Sequence, residues 1–305
     1  MDKTITIGIP TLNRQKYLKE TVLNILENKI NEIEDIIIVD QTDDTDIILE
    51  NKLFFNTLNF NIKYIILKEP SVCVARNTII LESKSDIIYF IDDDIKLTQN
   101  TFVEHLLLYK NNNIVSTIGK IYNRNPNFKI ENLDIKFPNI GTNENFENDN
   151  EISYNFLGSG VSCNQTYLRN VLIEIKGFDQ NFAGGYFEDA DIVNRIREKG
   201  YKIGFNPKAY VLHVKAPMGG LRFDKIQPIP LDVKFYSFLF FYIRYFQFNL
   251  QSIKGFYKVL RAGPLKKENI INVKNSILLW YKLPKLIMRA LKNKNSVNSI
   301  IGETF

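Results

Sequence analysis

The sequence predicts an α/β fold: a mostly parallel central sheet flanked by helices, with a helical extension at the C-terminus. Three observations carry that expectation. Runs of Ile and Val alternate with helix-patterned segments through the first part of the chain, as strands buried on both faces of a parallel sheet require. Acidic and polar residues gather where several of those runs end. After Pro228 and Pro230 the composition turns aromatic and basic, with a boundary near 225–231, so one unit is expected at 1–228 and a second at 229–305.

Taken in order, "TITIGIP" alternates and is β-branched, as a strand should be. "TLNRQKYLKETVLNILENK" puts Leu18, Val22, Ile25 and Leu26 on one helical face. "DIIIVD" is a short apolar strand ending in Asp40, and "IKYIILK" is a third strand. "ARNTIILESKS" reads as a helix and "DIIYFID" as a fourth strand. From Lys120 to Glu151 the pattern dissolves into an Asn-rich polar stretch, too long for an ordinary connection and expected to be a mobile, functional excursion across 120–157. Order returns with "YNFLGSGVSCNQTYLRNVLIEIKGFD". "EDADIVNRIREKGYKI" is a helix stopped by Gly200 and then a strand, and "AYVLHV" is another strand. No internal repeat is visible.

Composition narrows the class. With 45% hydrophobic and 24% charged residues the chain is globular in character. "MDKTITIGIP" has no apolar stretch of the signal-peptide kind, and the most apolar run, Phe235 to Ile243, is about half the roughly 20 residues that span a bilayer. Cys73 and Cys163 lack metal-ligand spacing, which points to a reduced, cytoplasmic setting. The net charge of +5 hides a split: from Asp232 onward there are 13 Lys+Arg against 3 Asp+Glu, and before it 26 against 31. A basic tail on a mildly acidic body is expected to meet different partners.

Ligands of open α/β sheets collect outside the carboxyl ends of the strands. There stand Pro10, Thr11, Asn13 and Arg14 after the first strand, Asp40 to Asp44 after the second, and Asp92-Asp93-Asp94 after the fourth, with Arg76 at the start of an intervening helix. For any one of these the plain account is that acids and Asn begin turns and helices well. Several strand ends together suggest one polar crevice.

"IPTLNR", "IIIVDQTDD", "VARNTIILES", "YFIDDDI", "GFDQNFAGGYFEDADIVNRIREKGY" and "LHV" follow one another in the order and approximate spacing of the family 2 glycosyltransferases. From about Ile5 to His213 the chain resembles these inverting enzymes of the GT-A fold. The triple Asp alone is a weak signal, whereas the ordered set is specific. The resemblance implies that Asp40 accepts the imide hydrogen of a uracil or thymine base framed by Pro10 and Thr11, with Asn13 and Arg14 in the same nucleotide-binding set. Arg76 would hold the nucleotide's phosphates by charge-assisted hydrogen bonds. Asp92 would face the ribose and the metal shell, and Asp94 would ligate Mg²⁺ or Mn²⁺. A divalent ion would then account for three adjacent carboxylates. Asp93 points the other way along a continuing strand; touching donor-sugar hydroxyls and capping the next helix both stay open for it. "DQTDD" stands where many members carry an Asp-Gly-Ser-like turn, which leaves Asp43 and Asp44 without a role.

Glu188, Asp189 and Asp191 lie at the positive end of a helix, where acids are favoured in any protein. The resemblance implies that Asp189 is the general base, taking the proton of the attacking acceptor hydroxyl, with Glu188 orienting acceptor or donor sugar. His213 is either an ordinary strand histidine or, as the resemblance implies, a metal ligand. Gly219-Gly220 would let the loop beyond it fold over the diphosphate, with Lys215 or Arg222 adding charge. Gly158 and Gly160 would form the floor of the sugar site. His105 reads as a helix side chain, and Cys73 and Cys163 as packing.

The expected activity is metal-dependent transfer of a sugar from a UDP- or dTDP-sugar to a glycan hydroxyl. Two rivals stand beside it: a non-catalytic sugar-nucleotide or glycan-binding module, and a nucleotidyltransferase. The latter normally has a glycine-rich basic loop after the first strand, and "PTLNRQKY" contains no glycine. The basic aromatic tail either packs on the catalytic unit or lies on anionic lipid at the inner face of the cytoplasmic membrane; no nucleic-acid module is visible. A lipid-facing tail would suit a polyprenyl-diphosphate-linked glycan acceptor in surface-polysaccharide synthesis.

Overall fold

A computed structural model describes residues 3–302 apart from 112, 124–150, 158–159, 183–184, 215, 217–218, 221–229 and 246–249. Most of the expected Asn-rich excursion, Gly158, Lys215, Arg222 and much of the expected boundary lie outside the described residues.

The first half alternates as expected: β1 (Ile5–Thr11), α1 (Gln15–Asn28), β2 (Ile33–Asp40), α2 (Thr45–Asn56), β3 (Ile62–Ile66), α3 (Val72–Glu82), β4 (Ile87–Ile91), β5 (Ile95–Lys96) and α4 (Gln99–Leu108). Then come β6 (Ile114–Asn123), β7 (Asn164–Leu168), α5 (Arg169–Glu174), α6 (Glu188–Glu198) and β8 (Lys202–His213). The chain closes with α7 (Leu231–Arg244), α8 (Leu250–Ala262), α9 (Lys267–Ile271) and α10 (Val273–Asn293). Among the described residues the strands form one sheet in the order β3-β2-β1-β4-β7-β6-β8-β5. Its first four strands run parallel, while β7 pairs antiparallel with both β4 and β6, and β6 pairs parallel with β8.

Period-two alternation divides the apolar strands between two cores. Ile88 and Phe90 of β4 join Ile37 and Val39 of β2 on one face; Ile87, Tyr89 and Ile91 join Ile36 and Ile38 on the other. Both faces are therefore covered, as the continuous Ile/Val runs imply.

The two strands expected around residues 201–214 are one, β8, which passes through Pro207. Proline donates no ladder hydrogen bond, so the pattern reads as broken there. The register instead jumps: Gly119 pairs with Asn206, but Ile121 pairs with Val211. A side chain at Gly119 would overlap the Ala209 carbonyl, so the bulge fits only against glycine.

The tail completes the first core. Phe235, Tyr236, Leu239, Phe240 and Phe241 of α7 and Leu279, Leu283, Leu286 and Ala290 of α10 belong to the same cluster as Phe178 and Phe182. Arg244 clamps this packing: its guanidinium reaches Asp179 at 2.7 Å and Asp191 at 2.6 Å, both fully buried, and lies over the Phe240 ring. No helix of the described residues is long and apolar enough to cross a membrane. Removing one partner of a buried ion pair leaves an uncompensated charge. Arg244→Ala is therefore expected to cost about 3–5 kcal/mol in denaturant unfolding, whereas the exposed Lys285→Ala should stay within about 0.5 kcal/mol of the parent.

Candidate active site

The Asp92-Asp93-Asp94 triplet links β4 to the short β5, and β5 pairs antiparallel with the end of β8, Ile95 opposite His213. The Val214 N–H donates to the Asp94 carbonyl at 2.9 Å, closing that pairing. The register thus sets His213 Nε2 2.9 Å from Asp94 Oδ1 and 3.8 Å from Asp92 Oδ2. One donor atom from each of the three residues lies within 4.8 Å of the other two.

Asp94 is 2% exposed. Its Oδ2 accepts from the Ala216 N–H at 2.8 Å and from Arg14 Nη1 at 3.3 Å. Its Oδ1 is buried and faces the His213 imidazole nitrogen. A buried carboxylate oxygen, an imidazole nitrogen and a second carboxylate oxygen set this close together could hold a cation among them. The two carboxylates are donors that Mg²⁺ or Mn²⁺ takes, and the imidazole is a softer donor, better suited to a first-row transition metal than to Mg²⁺. The local fields agree: burial works to raise the Asp94 carboxyl, but His213, the Ala216 N–H and Arg14 outweigh it and lower it. Burial likewise works to lower His213, and Asp94 and Asp92 raise it.

Asp93 turns away from this trio. It is 3% exposed, accepts from Thr11 Oγ1 at 2.6 Å and Arg14 Nη1 at 3.0 Å, and is pushed up to about 7 by burial, with Arg14 opposing and Asp94 adding. Both roles expected of it give way: it is closed off from a sugar, and Thr98 caps the next helix. Thr11 and Arg14, expected beside a nucleotide, hold the underside of the acidic turn. Pro10 is half-buried on β1, and Asn13, at φ 55°, donates its N–H to Thr42 Oγ1 at 2.9 Å, tying the ends of β1 and β2. Gly219 and Gly220, at φ +72° and +71°, rest on this turn: the Gly220 N–H donates to the Leu12 carbonyl at 2.8 Å, and a side chain at either would strike Asn13 or Arg14.

Asp40 lies at the end of β2 as expected, but it is 1% exposed and committed within the chain. Oδ1 accepts from the Thr42 N–H at 2.9 Å; Oδ2 accepts from the Tyr64 hydroxyl and from Asn51 at 3.4 Å. The carboxylate expected to meet a base is turned inward here.

The second acidic group is brought beside the first by β7. Ile91, just before Asp92, pairs with Asn164, so Ser162 and Cys163 adjoin the triplet. Asp189, in the first turn of α6, accepts from the Ser162 N–H at 3.2 Å, from the Ser162 hydroxyl, and from Arg76 Nη1 at 3.1 Å. Arg76 also reaches the buried Glu188 at 3.2 Å and lies 5.1 Å above the Phe178 ring. This differs from the phosphate contact expected of Arg76: the guanidinium is buried among the acids of α6, which raise it against the opposing effect of burial. Gly160 fits here because a side chain would overlap the Asp189 carbonyl. The Cys163 thiol is pushed up by burial and then by Asp92, Asp189 and Asp94, so both acidic groups act at one place. His105 is buried on α4 between Thr117 and Asn164, and Cys73 is buried at the start of α3 near Arg76 and Glu188.

Ser162 escapes the sequence reading because a serine between Val161 and Cys163 carries no periodic or charge signal. The Arg244–Asp191 pair escapes it because its partners lie 53 positions apart.

The family model described as Glycosyl transferase family 2 matches residues 6–176. No curated protein matches the chain. Among solved structures, S. aureus TarS 1–349 is similar at TM-score 0.60 and 14% identity, over 94% of this chain and 81% of that one. GalNAc-T7 with UDP, GalNAc and Mn²⁺ is similar at TM-score 0.57 and 13% identity, over 97% of this chain; the match spans 56% of the GalNAc-T7 chain.

Arg76→Met would strand two acids, one of them buried, and is expected to lower unfolding free energy by about 3–5 kcal/mol. Adding Glu188→Gln should restore part of that loss in the same titration, because the buried negative charge is then gone. No recovery would mean that Arg76 contributes packing instead of charge.

Proposed function

The chain belongs to glycosyl transferase family 2 and is a glycosyltransferase of the GT-A fold, and we propose that it moves a sugar from a UDP- or dTDP-sugar to a glycan hydroxyl with inversion at the anomeric carbon. The observation that carries this reading is the grouping of the buried Asp94 Oδ1 with His213 Nε2 and Asp92 Oδ2, each within reach of the others. Those three side chains would hold Mg²⁺ or Mn²⁺, which supplies positive charge to offset the charge gathering on the departing diphosphate. The presence of UDP, GalNAc and Mn²⁺ in the similar GalNAc-T7 structure supports this donor and cofactor class.

Asp189 is the general base in this reading. It takes the proton of the acceptor hydroxyl while that oxygen bonds to the anomeric carbon and the bond to the diphosphate breaks. Ser162 and Arg76 fix the carboxylate so that little reorganisation is needed as the proton moves. Glu188 is buried behind it and acts through Arg76 on its position. The basic tail supports a lipid-linked acceptor, a polyprenyl-diphosphate glycan of a surface polysaccharide.

Calorimetric titration with UDP should show binding that needs Mn²⁺ or Mg²⁺ and weakens at least about tenfold in Asp94→Ala. Asp189→Asn should bind UDP as the parent does and lose about 10²–10⁴-fold in transfer, the range of general base catalysis. Equally strong binding without metal would remove the cation, and near-parental transfer by Asp189→Asn would move the base elsewhere.

A further inference from the structure

Helix α10 has two apolar faces, and the fold uses one. Leu279, Leu283, Leu286 and Ala290 are buried beneath it. On the opposite side Val273, Ile277, Tyr281, Met288 and Leu291 recur every three, four or seven positions, with the exposed Pro284 filling the widest gap. These five side chains are between 51% and 83% exposed. A contiguous apolar row of that kind marks an interaction surface. Lys274, Lys285 and Lys292 border the row along one side, all exposed and none paired with an acid among the described residues.

We propose that this outer face of α10 lies on an anionic lipid surface, its apolar row entering the headgroup boundary while the lysines meet lipid phosphates. Charge selects that occupant. From Asp232 onward basic residues outnumber acidic ones 13 to 3, so a second copy packed row against row would bring lysines together with few acids to answer them. A nucleic acid would answer the lysines and leave the row of Val, Ile and Met without a partner. The face points away from the core, so docking there requires no unfolding. This surface names one side of α10 within the expected lipid-binding region 232–305, where α7 is spent on the core. It stands on the geometry of α10 and not on the reading of the active site.

Trp280 is the chain's single tryptophan and is 44% exposed beside the row. On adding phosphatidylcholine vesicles containing phosphatidylglycerol, its emission should shift to the blue and the full chain should sediment with the lipid; pure phosphatidylcholine should give neither. Each lysine near an anionic surface contributes roughly a factor of five in partitioning. Lys274→Gln/Lys285→Gln/Lys292→Gln should therefore partition about a hundredfold more weakly, and Ile277→Ser/Met288→Ser should lose the blue shift. Both variants should melt at the parental temperature and bind UDP with parental strength, which separates loss of lipid binding from failure at the active site. Absence of parental binding, equal binding to neutral vesicles, or parental partitioning by both variants would overturn the proposal. A dimer in sedimentation equilibrium that Ile277→Ser/Met288→Ser dissolves would also overturn it, assigning the face to a second copy.

Discussion

Five carboxylates crowd the cleft end of this sheet, and two arginines make that crowding tolerable. Like charges at such distances raise one another's cost of ionising, and burial raises it further. Arg14 grips Asp93 and Asp94 from beneath, and Arg76 grips Glu188 and Asp189 from the side. What is left over is specific: one oxygen of Asp94, one of Asp92 and the His213 nitrogen, all turned to a common space. The cation proposed there completes a charge balance that the arginines only begin.

Topology, more than local propensity, assembles these groups. The antiparallel insertion of β7 next to β4 carries Ser162 to the triplet and, through it, Asp189. The two-residue β5 pairs with the far end of β8 and carries His213 to Asp94. A slip of one residue in either pairing would send the partner side chain to the opposite face of the sheet. The bulge opposite Gly119 belongs to the same mechanism, since it sets the register of the last part of β8 after Pro207 has interrupted the ladder.

Much of this was legible in the chain. The buried strands announced themselves as Ile/Val runs, and the acids at their ends announced a polar crevice because no core tolerates them unpaired. Asp92 and Asp94 lie together in the fold with His213, which is far from them in the chain. The partners of Arg76, Asp93 and Asp40 were not legible, because each depends on which way a side chain turns at the end of its strand or helix. Arg76 and Asp93 turn into the protein to balance charge, and Asp40 turns to Tyr64, Asn51 and the Thr42 N–H. The tail was half legible. Its aromatics and basic residues gave two readings, and the helices divide them: α7 packs and is locked by Arg244 to Asp179 and Asp191, while the outer side of α10 stays exposed.

Because Asp191 sits two positions beyond Asp189 on α6, that lock also steadies the helix start that carries the proposed base. Both acidic groups are thus held by charges buried on the protein side. The most direct test of this account is anomalous scattering from crystals grown with UDP and Mn²⁺. The account predicts a manganese peak within coordination distance of Asp94, His213 and a diphosphate oxygen; bound UDP with no manganese peak there, or with the peak elsewhere, would contradict it.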